Sequence, residues 1–247
     1  YEIERAVAFI RAYCHQAGLN KVVLGLSGGI DSSLSAALAV QALGKENVLG
    51  LLLPYRKSSA HSTDDATVLA ESLGIKTKTI DISPMVDAYF AMHQEEADSL
   101  RKGNFMARMR MSVLYDFSSQ EAALVLGTSN RTELLVGYFT QFGDGACAFE
   151  PIGHLYKTEV RILSQVLDLP QSILNKAPTA DLWEGQTDEG ELGITYPVLD
   201  EILYQLTEQH IEVSETAKLD YPLASYQHVM KLVSRSEYKR QLPPVLE

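Results

Sequence analysis

Val22-Val23-Leu24-Gly25-Leu26-Ser27-Gly28-Gly29-Ile30-Asp31-Ser32-Ser33 reads as a strand, a loop and the start of a helix. Its opening is a short apolar run, the pattern of a parallel strand buried on both faces. The residues after it, Leu34-Ser35-Ala36-Ala37-Leu38-Ala39-Val40-Gln41-Ala42-Leu43, suit a packed helix. The Ser-Gly-Gly turn between them can expose several backbone N–H groups at that helix's N-terminus. Free donors and the helix dipole together bind phosphate there. Glycine supplies the positive φ and the close backbone approach such a cradle needs. Asp31 beside a phosphate alone would be repelled. A bridging Mg²⁺ removes the conflict, because hard cations take carboxylate and phosphate oxygens together. Without a ligand, the same residues make an ordinary turn with Asp31 near the helix start as a cap. The chain lacks the Gly-x-x-x-x-Gly-Lys-Ser/Thr loop.

Outward from this stretch, strands and helices alternate. Helix spacing of Ile3, Val7, Ile10 and Tyr13 predicts a helix over 2–17, stopped by Gly18 and Asn20. Strand 21–26 and helix 32–43 follow, then a strand from Val48 to Leu53. His61-Ser62-Thr63-Asp64-Asp65 has the Ser/Thr cap and first-turn acids of a helix start, running to Leu73. Ile75–Ile82 alternates as a third strand. Helical patterns then follow, interrupted at Lys102-Gly103-Asn104, and Ala122–Gly127 is a fourth strand. This alternation implies an α/β fold, a doubly wound, mostly parallel sheet with helices on both faces. Ligands bind such sheets at the carboxyl ends of strands, where the 27–31 loop and the Gly127-Thr128 turn lie. Further on, Lys157–Leu167, Tyr196–Leu206 and Ala224–Val233 read as helices. Residues 176–195 read as a long functional loop and a candidate lid. No repeat, low-complexity run or linker divides the sequence, so one domain over 1–247 is expected.

The chain has 247 residues, 46% of them apolar, enough for a substantial core. Its formal net charge of -11 argues against nonspecific nucleic-acid or anionic-membrane binding. Cys14 and Cys147 form no disulfide framework and no paired metal motif, so a cytoplasmic setting is expected. No apolar run of spanning length and no signal-peptide pattern is present.

The string Val-Val-Leu-Gly-Leu-Ser-Gly-Gly-Ile-Asp-Ser-Ser resembles the pyrophosphate loop of the N-type ATP pyrophosphatases. Three stretches in the first two-thirds extend the likeness: Lys102-Gly103-Asn104-Phe105-Met106-Ala107-Arg108-Met109-Arg110-Met111, Leu126-Gly127-Thr128-Ser129-Asn130-Arg131-Thr132-Glu133 and Gly137-Tyr138-Phe139-Thr140-Gln141-Phe142-Gly143-Asp144-Gly145. Pro178-Thr179-Ala180-Asp181-Leu182, Asp188-Glu189-Gly190-Glu191-Leu192-Gly193-Ile194-Thr195-Tyr196 and Lys239-Arg240 carry it to the C-terminal part. Together these are similar to the ammonia-dependent NAD⁺ synthetases, with an adenine nucleotide alpha hydrolase-like fold.

The resemblance implies roles. Gly25, Leu26, Ser27, Gly28, Gly29, Ile30, Asp31, Ser32, Thr128, Lys157 and Thr179 would bind ATP. Asp31 and Glu133 would ligate Mg²⁺, Asp31 and Lys157 would be catalytic, and Arg108 and Lys239 would hold deamido-NAD⁺. It further implies ammonia as co-substrate and a homodimer. The residue types agree: a leaving pyrophosphate calls for Mg²⁺ and a cation such as Lys157, and a guanidinium suits phosphate or carboxylate. Taken singly, Arg108 would be a solvated helix residue, Glu133 a first-turn acid and Thr128 and Thr179 turn residues. Gln141 stands where many members have Lys, Ala148 where they have Asp, and Tyr238 where a His precedes the Lys. Alternatives are another pyrophosphatase-loop amidating ligase and a non-catalytic nucleotide-binding module. A glutaminase would need a further domain with an activated nucleophile, and neither Cys14 nor Cys147 shows a partner set. Ammonium, not glutamine, is the expected nitrogen source.

Overall fold

The computed structural model describes residues 1–56, 60–92, 97–179, 185–212, 214 and 219–246, and for 60–63 the backbone alone. The first half of the chain runs α1 (Glu2–Gln16), β1 (Val22–Gly25), α2 (Ile30–Leu43), β2 (Val48–Leu52), α3 (Ala60–Leu73), β3 (Lys76–Thr79), α4 (Ser83–Met92), α5 (Ser99–Glu121) and β4 (Leu124–Val125). The second half is helical: α6 (Arg131–Val136), α7 (Lys157–Val166), α8 (Gln171–Leu174), α9 (Asp188–Leu192), α10 (Tyr196–Thr207) and α11 (Leu223–Ser236).

The sheet order is β3-β2-β1-β4, all parallel. β1 is central, and its alternation explains the two covered faces. Val22 and Leu24 join Ile10 of α1, Leu34 and Leu38 of α2 and Val160 of α7. Val23 points the other way, into a cluster with Leu51, Ile82, Val86 of α4 and Met106 of α5. The doubly wound arrangement expected from the sequence is therefore present. Because the order reverses at β1, a crevice opens between the carboxyl ends of β1 and β4. Beyond β4 the sheet gains one more rung. Leu126 bridges Phe149 in parallel, and the Gly127 N–H donates to the Phe149 carbonyl at 2.9 Å. A separate cluster, including Tyr196, Leu199, Leu203, Tyr226 and Val229, joins α10 and α11 to Val136 of α6.

Four expectations are corrected. Helix α5 runs unbroken through Lys102-Gly103-Asn104. The Asp98 side chain caps it by accepting the Arg101 N–H at 2.7 Å, and Gly103 is buried in its wall, so packing outweighs the roughly 1 kcal/mol intrinsic cost of a helical glycine. Strand β3 covers only Lys76–Thr79 and is exposed throughout, an edge strand whose lysines discourage further pairing. Its expected apolar face is supplied by Ile75 and Ile82 at the flanks, both buried. Strand β4 is shorter than 122–127, because Ala122 adopts a left-handed conformation (φ 50°) that ends α5. The stretch 176–195 is not all loop: Asp188–Leu192 is helical, begun by acids and stopped by Gly193 at φ 70°. Its middle, 180–184, and the side chains of His61-Ser62-Thr63 lie outside the described residues.

Candidate active site

The loop after β1 folds on its own hydroxyls. Ser27 Oγ accepts the Gly29 N–H at 3.2 Å and lies 3.1 Å from Ser32 Oγ. Ser32 and Ser33 donate to the Gly29 carbonyl at 3.0 and 2.7 Å. Gly28 takes φ 72°, which a residue with a Cβ rarely adopts. Gly29 is the N-cap of α2, and Asp31 falls in its first turn. The Ser-Gly-Gly turn thus lies at a helix N-terminus, as the sequence pattern places it.

Asp31 meets residues from two other helices. Its Oδ1 accepts from Asn130 Nδ2 at 2.8 Å, and its Oδ2 from Lys157 Nζ at 2.6 Å. The same Nζ donates to Glu133 Oε1 at 3.0 Å. Local chemistry places each partner. Asn130 and Glu133 form a capping box that starts α6. Lys157 opens α7, and its N–H donates to Thr132 Oγ1 at 3.0 Å. Buried Asp200 of α10 ties these together, accepting from Thr132 Oγ1 at 2.5 Å and from the Thr158 N–H at 2.8 Å. Lys157 is 2% exposed. Burial works against its charge, but Asp31 and Glu133 overcome that and hold its pKa above the usual lysine range. Burial pushes Glu133 up to about 8, against the pull of Lys157. Beneath the ammonium, 5.0 Å away, lies the Tyr196 ring, whose hydroxyl donates to Asp188 Oδ2 at 3.1 Å. Tyr138 donates to the other oxygen of Asp188 at 3.1 Å.

A cleft of about 600 Å³ opens beside this cluster, between the ends of β1 and β4. Of the expected residues, Gly25, Leu26, Ser27, Arg108, Thr128 and Lys239 line it, and so does Gln141. Arg108 Nη2 donates to the Gln141 carbonyl at 3.3 Å. Lys239 donates to the carbonyls of Gly137 and Phe139, each at 2.7 Å, and burial lowers its pKa. Its neighbour Arg240 donates to the Leu135 carbonyl at 2.7 Å and the Leu134 carbonyl at 3.2 Å, so the pair caps the end of α6. Thr179 donates to the carbonyl of Gln186, itself a cleft residue, at 2.8 Å. Ala148 packs against the core instead of lining the cleft. Lys157 is aimed at its two carboxylates.

The donor set fits a magnesium ion. Asp31 and Glu133 already turn one oxygen each toward a shared cation, and both side chains keep some exposure, 17% and 14%. Among the described residues no group of three or more His, Cys, Asp or Glu could hold a metal.

The NAD synthase family profile matches residues 2–243. The chain belongs to the NAD synthase family. A curated relative, the NH(3)-dependent NAD(+) synthetase of Fusobacterium nucleatum, is 51% identical over 96% of this chain and 92% of its own. Among solved structures, NMN synthetase from Francisella tularensis superposes with a TM-score of 0.88 at 37% identity, covering 99% of this chain and 97% of that one. The NH3-dependent NAD synthetase from Campylobacter jejuni gives 0.83 at 36%, covering 100% and 98%. The glutamine-dependent NAD+ synthetase from Acinetobacter baumannii gives 0.69 at 30%; 99% of this chain matches 46% of that longer one.

Several residues around this NAD synthase cluster escaped sequence reasoning. Asn130 was legible in principle, because Asn-x-x-Glu is a capping-box signature. Tyr138 and Asp188 lie inside stretches that carry the resemblance but with no role read from them, and Asp200 lies in none; their roles arise from helices meeting in space. The Cys147 thiol donates to Glu150 at 3.3 Å. Burial and then Glu150 push that thiol's pKa up, the reverse of an activated nucleophile.

Proposed function

We propose that this chain joins ammonia to deamido-NAD⁺ at the expense of ATP, giving NAD⁺, AMP and pyrophosphate. The observation that carries the reading is the meeting of Asp31, Glu133 and Lys157 beside a phosphate-shaped loop at the switch point of the sheet. Membership of the NAD synthase family, and relatives named as NH(3)-dependent synthetases, support the choice of substrates.

A free carboxylate is a poor acyl donor, so it must first be adenylated. A nicotinate oxygen attacks the α-phosphorus of ATP, the bond to the bridging oxygen breaks, and pyrophosphate leaves. Ammonia then attacks the acyl carbon; AMP leaves and a proton is lost. Ser27, Gly28, Gly29 and Ser32 hold phosphate oxygens in place of the bonds that close the loop on itself, with Gly25, Leu26 and Ile30 forming the surrounding wall. Thr128 contacts ATP from the cleft wall, and Thr179, bonded to the cleft residue Gln186, completes the ATP contacts. Asp31 and Glu133 would hold Mg²⁺, which when bound would supply Lewis-acid stabilisation of phosphate charge. Lys157 adds a fixed, buried cation where charge develops on the leaving group. Arg108 and Lys239 hold the dinucleotide, with the Gln141 carbonyl orienting Arg108. The described flank of 176–195 packs Asp188 and Leu192 inward, which suits a segment that excludes water from the acyl-adenylate. One catalytic domain spanning 1–247, acting as a homodimer in the cytoplasm, completes the reading; its two free cysteines suit a reducing compartment.

The test is pyrophosphate release and NAD⁺ formation with ATP, Mg²⁺, ammonium and deamido-NAD⁺. Release that needs all of them is expected; release independent of deamido-NAD⁺ would refute the proposal. The likeness to an NMN synthetase favours a second reading, in which the acid is nicotinate mononucleotide. A higher kcat/KM for the mononucleotide in the same assay would select it.

A further inference from the structure

Glu150 stands behind the cleft wall. The parallel bridge between Leu126 and Phe149 sets it beside the carboxyl end of β4. Its Oε2 accepts the Ser129 N–H at 2.9 Å, and its Oε1 accepts the Cys147 thiol at 3.3 Å. A Cβ built on Gly127 would fall 2.2 Å from Oε2, so the carboxylate occupies the place of a side chain at 127. Glu150 therefore grips the turn on both sides of Thr128. Gly127, Thr128 and Cys147 line the cleft and Glu150 does not.

We propose that Glu150 is a positioning residue of the nucleotide site, whose carboxylate holds the Gly127–Ser129 turn from behind and so aims Thr128 at ATP, more firmly as the anion than as the neutral acid. This rests on the ATP reading of the cleft. A hydrogen bond to an ionised acceptor is roughly twice as strong as one to a neutral acceptor. The switch between the two forms falls in the working range, because burial pushes Glu150 up to about 7. The bonds from Cys147 and Ser129 pull it down, and Asp144 pushes it up. Tyr115 of α5 is raised by its own burial and then by Cys147. Holding this buried anion costs stability: an acid raised from 4.5 to about 7 contributes less to folding as pH climbs through that window.

The experiment measures binding of α,β-methylene-ATP by calorimetry at pH 6, 7 and 8, for the wild type and Glu150→Gln. The ratio of the two dissociation constants cancels titration of the nucleotide and of groups shared by both proteins. The variant is expected to bind like the wild type at pH 6 and roughly threefold to tenfold more weakly at pH 8. A ratio that does not change with pH overturns the proposal. Should Glu150→Gln fail to fold, Cys147→Ala decides: removing one donor should move the wild-type midpoint to higher pH, and an unmoved midpoint overturns it. A folded wild type that binds no analogue at any pH sinks the ATP reading itself, a result distinct from a flat ratio.

Discussion

Replacing Lys157 by Met keeps most of the stem and deletes the ammonium. Asp31 and Glu133, now bonded to Nζ at 2.6 and 3.0 Å, would be left facing one another without a cation. Removing one partner of a buried ion pair costs about 3–5 kcal/mol. The carboxylates are 17% and 14% exposed, and Glu133 protonates readily, so the low end applies: about 3 kcal/mol at pH 8. The cost should depend on pH. Glu133 is raised from 4.5 to about 8 in the folded chain, so its contribution to stability falls as pH rises through that window. Lys157 is the charge that pulls it down; without Lys157 its pKa climbs further and the loss extends above pH 8. Lys157's own pKa is raised, so its contribution is complete below the usual lysine value and constant across neutral pH. Urea unfolding at pH 5 and pH 9 should therefore show a larger difference between wild type and variant at pH 9. Turnover should fall roughly a hundredfold to a thousandfold, the scale of losing a fixed charge at a reacting centre. Equal destabilisation at both pH values, or kcat within tenfold of wild type, would refute the reasoning.

Asp31→Asn keeps the shape that Asn130 and Lys157 contact but removes the charge offered to Mg²⁺. Turnover should drop about a hundredfold or more, and near-normal kcat at saturating Mg²⁺ would remove Asp31 from the metal role. Arg108→Lys loses the planar fork, so KM for deamido-NAD⁺ should rise while that for ATP barely moves; a shift confined to ATP contradicts the assignment. Ammonium should support NAD⁺ formation by this chain and glutamine should not. At subsaturating ammonium the rate should climb between about pH 7 and 9 as free NH₃ increases, and a comparable rate with glutamine counts against the reading. Gly137→Ala should destabilise by roughly 2 kcal/mol or more in thermal melts, because φ is 70° and the new Cβ would sit 2.1 Å from Ser236 Cβ; an unchanged melting temperature would show that α11 gives way.

The sequence announced the first half of the fold because its signals there are local. The apolar run at 22–26 and the Ser-Gly-Gly turn need only nearest neighbours to be read, and Asp31 is found by its misfit beside a phosphate. β3 was misjudged because Ile75 and Ile82 looked like strand positions, whereas they are anchors flanking an exposed edge. Lys102-Gly103-Asn104 reads as an interruption because glycine is a poor helix former, whereas Gly103 is buried within an unbroken α5. The cluster around Lys157 was legible as residue types and not as geometry. Asn130 and Thr132 at the start of α6 converge with Asp200 of α10, and only the tertiary structure shows that Asp200 supports the helix start from which Lys157 projects. Glu150 left no trace at all, since a lone glutamate before a proline resembles any surface turn.

The cap on α6 bears on the order in which the protein comes to life on the ribosome. The carbonyls of Gly137 and Leu135 accept from side chains that lie 102 and 105 residues further along, those of Lys239 and Arg240. β1, β2 and β3 can pair as soon as they leave the exit tunnel, since each needs only its predecessor. The short helix bearing Glu133 must wait. Until Lys239 and Arg240 emerge its carboxyl end is open to water, and a six-residue helix has little hold of its own. Translation thus sets an order: the strands can pair early, and the cap that holds the helix of Glu133 waits until Lys239 and Arg240 have left the tunnel.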